Sequence, residues 1–232
     1  MNMKKASAGD HSRLRSRRPG RLSPRKTPRQ QRSQATVDVI LEGASQVLVR
    51  VGYERANTTL IAVTAGVSVG SVYQYYPNKD AVFSALLKTV LEQVTEGLRA
   101  AVRDAPAEPL DARVRRLVHA TLAYKAQNPK LHRVLKTELG RLDGAKALRT
   151  LSDQIIVLLS DQFASYHDEL RLRDPERAAF FAYNAVEGVV GAAVIDDPGA
   201  LSDPTFAQEL SAAVTAMVYS LPRETDARAH TF

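Results

Sequence analysis

The stretch AGVSVGSVYQYYPNK, from Ala65 to Lys79, has the features of the turn and second helix of a helix-turn-helix motif. Gly66 suits the turn because glycine adopts a positive φ without steric cost. Ser68 is a good N-cap for a helix that would begin near Val69, and Pro77 predicts the end of that helix. Because a short helix of this kind lies in the major groove of DNA, the stretch predicts a DNA-reading helix.

The helix before the turn is predicted over Thr58–Ala65, with Asn57 or Thr58 as its N-cap. Its N-terminal amides and threonine hydroxyls are placed to hold a phosphate. Leu60 and Val63 are apolar on this helix, and we expect them to pack on the first helix or on the following domain. The helix therefore contributes few charged contacts to DNA.

Together with Gly52-Tyr53, Thr58-Thr59 and Ile61-Ala62, the run from Ala65 to Lys79 resembles the DNA-binding domain of the tetracycline-repressor (TetR) family of bacterial regulators. The resemblance covers about residues 33–90, and the rest of the chain matches in length and helical character. It implies a transcriptional regulator, with a repressor as the expected type, that binds a palindromic operator in double-stranded DNA as a homodimer.

Transferred position by position, the family's DNA contacts fall on nine residues of this sequence. The contacts expected chiefly at phosphates are Thr58, Ser71, Tyr75 and Lys79, with Thr59 beside them at the start of the second helix. The contacts expected at base edges or in fitting the groove are Val69, Gly70, Tyr73 and Gln74. Val72 and Tyr76 are expected to pack inward.

Composition favours a cytoplasmic globular protein that is not an enzyme. The chain has 232 residues, 44% of them hydrophobic, and it has no cysteine, which excludes disulfides and thiol catalysis. No apolar run approaches the roughly 18 residues of a membrane span. The five histidines lack the spacing of a zinc protease, and no glycine-rich phosphate loop is present. We therefore expect no catalytic residue, no metal and no cofactor.

The positive charge is confined to the beginning of the chain. Residues 1–34 carry eleven Lys or Arg and one acid, Asp10, a net charge of +10. Since the whole chain carries +7, the other 198 residues carry −3. Residues 1–32 are also poor in large apolar side chains, which predicts a disordered basic arm. The arm either adds phosphate contacts or is a passive tail, and an alternative function is a nucleoid-like, non-specific DNA binder driven by it.

The rest of the chain predicts an all-α protein of about nine helices. The first helix is expected from Ser33 to Val51 with Gly52 as its cap, and the fourth from Lys79 to Arg103. Later helices are expected over 110–127, 129–142, 145–167, 175–195 and from 204 onward. The domain limits are a three-helix DNA-binding domain over 33–80, a helical ligand-binding and dimerisation domain over 81–222, and a flexible end over 223–232.

The last two helices are rich in small and apolar residues, such as Ala178, Ala182, Gly188 and Ala192. Small residues let helices approach closely. The resemblance implies that these helices form a four-helix bundle with the same pair of a second subunit. The alternative is that they form a core within one chain.

Seven polar residues fall on or beside apolar helix faces in the second domain: His119, Tyr124, His132, Glu138, Tyr183, Asn184 and Glu187. They are either the orienting groups of a mostly apolar ligand pocket or hydrogen-bonded core groups. The resemblance implies a small, apolar effector bound between the fourth and seventh helices, which would tilt the fourth helix. A helical small-molecule-binding protein without DNA readout is a further alternative.

Overall fold

The computed structural model describes residues 31–103, 108–138 and 144–223. Within these ranges the chain is all-α, as predicted, and its β structure is limited to an isolated bridge between Leu172 and Arg223. The helices are α1 (Gln31–Arg55), α2 (Thr58–Ala65), α3 (Val69–Tyr75), α4 (Lys79–Arg103), α5 (Leu110–Gln127), α6 (Pro129–Glu138), α7 (Gly144–Ser165), α8 (His167–Leu170), α9 (Pro175–Asp196) and α10 (Pro204–Ser220), with a 3-10 helix at Pro198–Ser202.

Two predicted segments lie outside the described residues. They are the basic arm, apart from residues 31 and 32, and the end of the chain after residue 223. The same holds for the last turn predicted for the sixth helix, over 139–142.

The described residues contain one α-helix more than the nine expected. The helix predicted over 145–167 is two helices, because the chain turns at Tyr166 and α8 forms after it. Arg171 ends α8 with a left-handed φ of 46°. Leu170 and Leu172 on either side are buried, so packing holds this turn in place. The first helix begins at Gln31, two residues before the predicted start, and it is interrupted at Gly52 as expected, where φ is 73° and ψ is 171°.

The first hydrophobic core joins α1, α2, α3 and the beginning of α4. Its fully buried side chains include Ile40, Ile61, Val72 and Phe83. Helix α6 adds Leu131 and Leu135 to the same core. An element of the helical domain therefore packs directly onto the DNA-binding unit.

The second core lies among α5, α7, α9 and α10, where Leu122, Val190 and Val218 are buried. A smaller cluster of Leu98 and Ile155 with its neighbours joins the second half of α4 to α7. Helix α9 is long and apolar enough to cross a membrane by length and composition alone, a test that core helices also pass. In this fold one side of α9 packs on α7, and 39% of its most apolar window is buried.

Candidate DNA-reading surface and helical-domain cavities

The turn between α2 and α3 is closed by backbone hydrogen bonds. Gly66 has a φ of 68°, and its N–H donates to the carbonyls of Ala62 and Val63. Ser68 caps α3, since its Oγ accepts from the backbone N–H of Ser71 at 3.0 Å. Asn57, not Thr58, caps α2 by accepting from the N–H of Leu60 at 2.8 Å. These bonds fix the direction in which α3 leaves the turn.

Four of the nine predicted DNA contacts are exposed, and we call them the reader surface: Thr59, Gly70, Tyr73 and Gln74. Tyr73 keeps 43% of its surface exposed although it is a large aromatic residue. Its hydroxyl accepts a hydrogen bond from the Thr58 hydroxyl at 3.1 Å, which holds the ring against the start of α2. The reader surface thus offers hydroxyl, amide, aromatic and bare backbone groups to a groove.

Three other predicted contacts have their side chains bonded within the protein. Thr58 is 9% exposed and donates to Tyr73, as above. Tyr75 is also 9% exposed, and its hydroxyl lies 2.9 Å from Ser33 Oγ at the start of α1. Lys79 Nζ donates to the carbonyl oxygens of Tyr53 at 2.9 Å and Glu54 at 3.3 Å. Each of these three side chains therefore supports the fold around the reader surface, and its contact with a phosphate stays a prediction.

The last two predicted contacts are half-buried. Val69 packs against the first core. The hydroxyl of Ser71 lies 2.8 Å from Ser68 Oγ and shares a hydrogen bond with it. Both residues lie beside the reader surface, from which the side chains of Tyr73 and Gln74 protrude.

Val72 and Tyr76 are 0% and 3% exposed and point inward, as expected. Burial raises the pKa of Tyr76 to about 12, so the phenol stays neutral. Leu60 packs against the first core as expected. Val63 does not, because 72% of its surface is exposed on the outer side of α2.

A polar junction ties α1 to the start of α4, and sequence reasoning missed it. The Tyr53 hydroxyl donates to Asp80 Oδ1 at 2.6 Å, and the Lys79 ammonium lies 4.5 Å from the centre of the Tyr53 ring. The same ring packs at 5.6 Å from Phe83. This junction fixes the angle at which α4 leaves the DNA-binding unit.

An inner cavity of about 60 Å³ lies among α4, α5, α7 and α9. Its walls are mainly apolar, formed by Val94, Leu98, Val114, Leu117, Ile155 and Phe163 among others. At its edge the buried Arg113 donates to Glu108 Oε1 at 2.8 Å and to Gln162 Oε1 at 2.5 Å. Hydrogen bonds and charge from Arg116 and Arg113 hold the pKa of the Glu108 carboxyl below its usual range. Arg113 and Gln162 are therefore polar members of a mainly apolar lining, and they are bonded to each other.

An outer cavity of about 390 Å³ lies beside the inner one, and Val94, Tyr183 and Glu187 line both cavities. Lys125 Nζ and Glu187 Oε2 form an ion pair at 2.8 Å at the outer cavity. The hydroxyls of Ser152 and Tyr183 lie 2.8 Å apart. The outer cavity is therefore much more polar than the inner one.

Four of the seven predicted pocket residues line the outer cavity: His132, Tyr183, Asn184 and Glu187. Burial, and secondarily the Lys125 ammonium, lower the pKa of His132 to about 4, so the imidazole is neutral near pH 7.

The other three predicted pocket residues line neither cavity. Tyr124 packs its ring 5.1 Å from that of His132, and its hydroxyl donates to the carbonyl of Val90 at 3.1 Å. His119 is exposed on α5, and Glu138 is half-buried at the end of α6. The role of these three residues in a ligand pocket stays a prediction. The sequence reasoning missed Lys125 and Lys136, which do line the outer cavity.

A helix-turn-helix unit with an exposed reading helix, joined to a helical domain with internal cavities, defines a DNA-binding transcriptional regulator. The family model of the bacterial regulatory proteins of the tetR family matches residues 40–86, and that of the tetracyclin repressor-like C-terminal domain matches residues 109–217. The chain belongs to the tetracycline-repressor (TetR) family. This is a family of transcriptional regulators and not of enzymes.

Curated relatives match the chain at low identity. The uncharacterized HTH-type transcriptional regulator YhgD of Bacillus subtilis is 22% identical over 146 residues, which cover 61% of this chain and 75% of YhgD. The nucleoid occlusion factor SlmA of Glaesserella parasuis is 26% identical over 144 residues, 59% of this chain and 69% of SlmA.

Among solved structures, a TetR transcription regulator from Haloarcula marismortui superimposes with a TM-score of 0.66 at 21% identity. The match covers 79% of this chain and 98% of that one. At this identity the likeness shows the fold.

Proposed function

We propose that this protein is a cytoplasmic, effector-responsive repressor that binds a palindromic operator as a homodimer. The observation that carries the proposal is the reader surface: Tyr73 and Gln74 protrude from α3, while the residues around them are bonded into the domain. A rigid scaffold with a few free polar groups is what reading base edges requires.

A dimer is supported by an exposed apolar face on the last two helices. On α9, Phe180, Phe181 and Val189 are 51%, 38% and 43% exposed, and Tyr219 on α10 is 37% exposed. Exposed small residues such as Gly188 accompany them on this face. Large apolar side chains left exposed on neighbouring helices favour an interaction site, and a two-fold dimer would present two reader surfaces to two half-sites.

Effector coupling is supported by the helices that line the outer cavity. Leu87, Val90 and Leu91 of α4 and His132 and Leu135 of α6 contribute to its wall. Leu87 and Val90 lie on the buried side of α4, and Leu135 belongs to the first core. A molecule that enlarges this space would move α4 or α6 against the DNA-binding unit. Such a molecule needs only to bind more tightly to the state in which the two reader surfaces of the dimer do not match the spacing of the operator half-sites.

The test is a selection of random duplexes on the full-length protein at several salt concentrations, repeated without residues 1–30. We expect an enriched palindrome that survives removal of the arm. Binding without sequence preference that disappears with the arm would contradict the proposal and favour the arm-driven binder, whose salt dependence is steep.

The dimer is tested separately by sedimentation of the full chain. Val189→Glu places a charge on the exposed face of α9 and should yield monomers. Val39→Glu is the matched control, because Val39 is also 43% exposed but lies on α1. A dimer that persists in Val189→Glu, or dissociates equally in both variants, would contradict this interface.

A further inference from the structure

Among the described residues that line the inner cavity, no polar group needs a partner from a ligand. Arg113, its one cationic wall residue, is 8% exposed and already bonded to Glu108 and Gln162. Tyr166 donates to the carbonyl of Glu108 at 2.7 Å. Because a polar ligand group would have to lose its own hydration there without gaining a partner, the inner cavity selects an apolar moiety.

The outer cavity, in contrast, carries a positive charge in excess. Lys125 is neutralised by Glu187, and His132 is uncharged at neutral pH. Lys136 also lines this cavity, and within the described ranges it forms no ion pair or hydrogen bond. Together these four side chains leave a net charge of +1.

The position of the Lys136 ammonium depends on a glycine across the cavity. A Cβ placed on Gly191 of α9 would lie 1.9 Å from Lys136 Nζ, so the absence of a side chain at 191 leaves the space that the ammonium occupies. Lys136 is otherwise exposed, and a head group can therefore reach it from solvent.

From this arrangement we infer that the effector is an amphiphilic monoanion, with its apolar part in the inner cavity and its acidic head group at Lys136. The inference rests on the proposed function for the existence of an effector and adds its chemical class. One negative charge neutralises the outer cavity, whereas a cation would meet an uncompensated ammonium, and a polyanion would exceed the charge available.

The test uses three sets of probes of equal chain length, from about four to six carbons, because an inner cavity of about 60 Å³ has room for only a few carbon atoms: straight-chain carboxylates, alcohols and trimethylammonium ions. Binding to the full-length protein is measured by calorimetry without DNA. The carboxylates should bind about tenfold more tightly than the alcohols, which corresponds to one charge-assisted hydrogen bond, and the cations should bind most weakly.

Two variants locate the head group. Lys136→Gln should weaken carboxylate binding about tenfold and leave alcohol binding unchanged. Lys130→Gln is the matched control, since Lys130 is an exposed lysine on the same helix that lines neither cavity. Gly191→Ala should also weaken the carboxylates by displacing the ammonium, and it should add nothing further in the Lys136→Gln background.

The inference is overturned if no carboxylate of the series binds, if alcohols or cations bind as tightly, or if Lys136→Gln behaves like Lys130→Gln. Release of operator DNA is measured in parallel, so that the two proposals can fail separately. A carboxylate that binds with the expected selectivity but does not release the operator supports the ligand class and contradicts the effector role. Operator binding by a protein that ignores every probe contradicts the ligand class alone.

Discussion

The two halves of this molecule use polar side chains in different ways. In the DNA-binding unit, Lys79 and Tyr75 are bonded within the protein and hold α3 and α4 in place, while Gln74 is left exposed. In the helical domain, polar residues such as Lys136 and Asn184 line an open cavity. The comparison indicates that the proposed reading surface depends on fixed geometry, whereas the proposed effector site depends on unfilled space between helices.

The largest effect is expected from a substitution in the first core, which holds the DNA-binding unit together. Phe83→Ala removes a fully buried ring that packs on Tyr53 at the junction of α1 and α4. The free energy of unfolding should fall by about 3–5 kcal/mol. Urea unfolding followed by circular dichroism measures this change. A loss below about 1 kcal/mol would mean that the first core is looser than described.

The contact between the two halves is tested by the pH dependence of stability. His132 reports on it because it lies on α6, the helix of the helical domain that packs on the first core. Its pKa is about 4 in the folded protein and returns to its ordinary value of 6.5 on unfolding. Between these values the unfolded chain binds a proton that the folded chain does not, so stability is present above pH 6.5 and is lost as the pH falls towards 4. The loss from this group is roughly 2–3 kcal/mol.

His132→Gln should remove that part of the pH dependence. The measurement is urea unfolding of the wild type and the variant at pH 7 and at pH 4.5. The carboxylates are the same in both proteins, so the difference between the two losses of stability comes from His132. The groups around the imidazole that set its pKa, Lys125 and Glu187, are unchanged in the variant. Equal losses in the two proteins would show that His132 is not buried as described.

The division within the DNA-binding unit is tested by comparing Gln74→Ala with Lys79→Gln. Gln74→Ala should cost about 1–3 kcal/mol on the selected operator, much less on random DNA, and nothing in stability, because Gln74 is exposed. Lys79→Gln should lower stability by about 1–2 kcal/mol, since it removes charge-assisted bonds to two carbonyls. Lys79→Gln should also weaken binding to the operator and to random DNA by the same factor.

The control for Gln74→Ala is Gln154→Ala, an exposed glutamine on α7. Filter binding to operator and random duplexes, with thermal unfolding of each variant, separates the two effects. Equal discrimination between the two DNAs in Gln74→Ala and in wild type would remove Gln74 from the reader surface.

The smallest effect is expected on α2. Leu60→Ala should cost about 1–2 kcal/mol in stability, because Leu60 packs on the first core. Val63→Ala should change stability by less than about 0.5 kcal/mol, because Val63 is 72% exposed. A larger loss for Val63→Ala than for Leu60→Ala, in parallel thermal melts, would reverse the assignment of the two faces.

The local signals of the sequence predicted the helix-turn-helix well. The bounds predicted for α2, α4 and α5 agree with the structure, because caps, turn residues and apolar spacing act within a few residues of one another. The extra helix α8 was not predicted, since the turn at Tyr166 depends on the burial of Leu170 and Leu172 against other helices.

The sequence by itself therefore determined the all-α class, the position of the reading helix and the family, because these follow from short-range patterns. Only the tertiary structure decided which polar side chains remain available to contact DNA or a ligand. The bonds of Tyr75 to Ser33 and of Lys79 to Tyr53 join residues far apart in the chain. The meeting of Lys136 with Gly191 likewise depends on how α6 packs on α9. Such contacts are set by the packing of whole helices, and no local pattern encodes them.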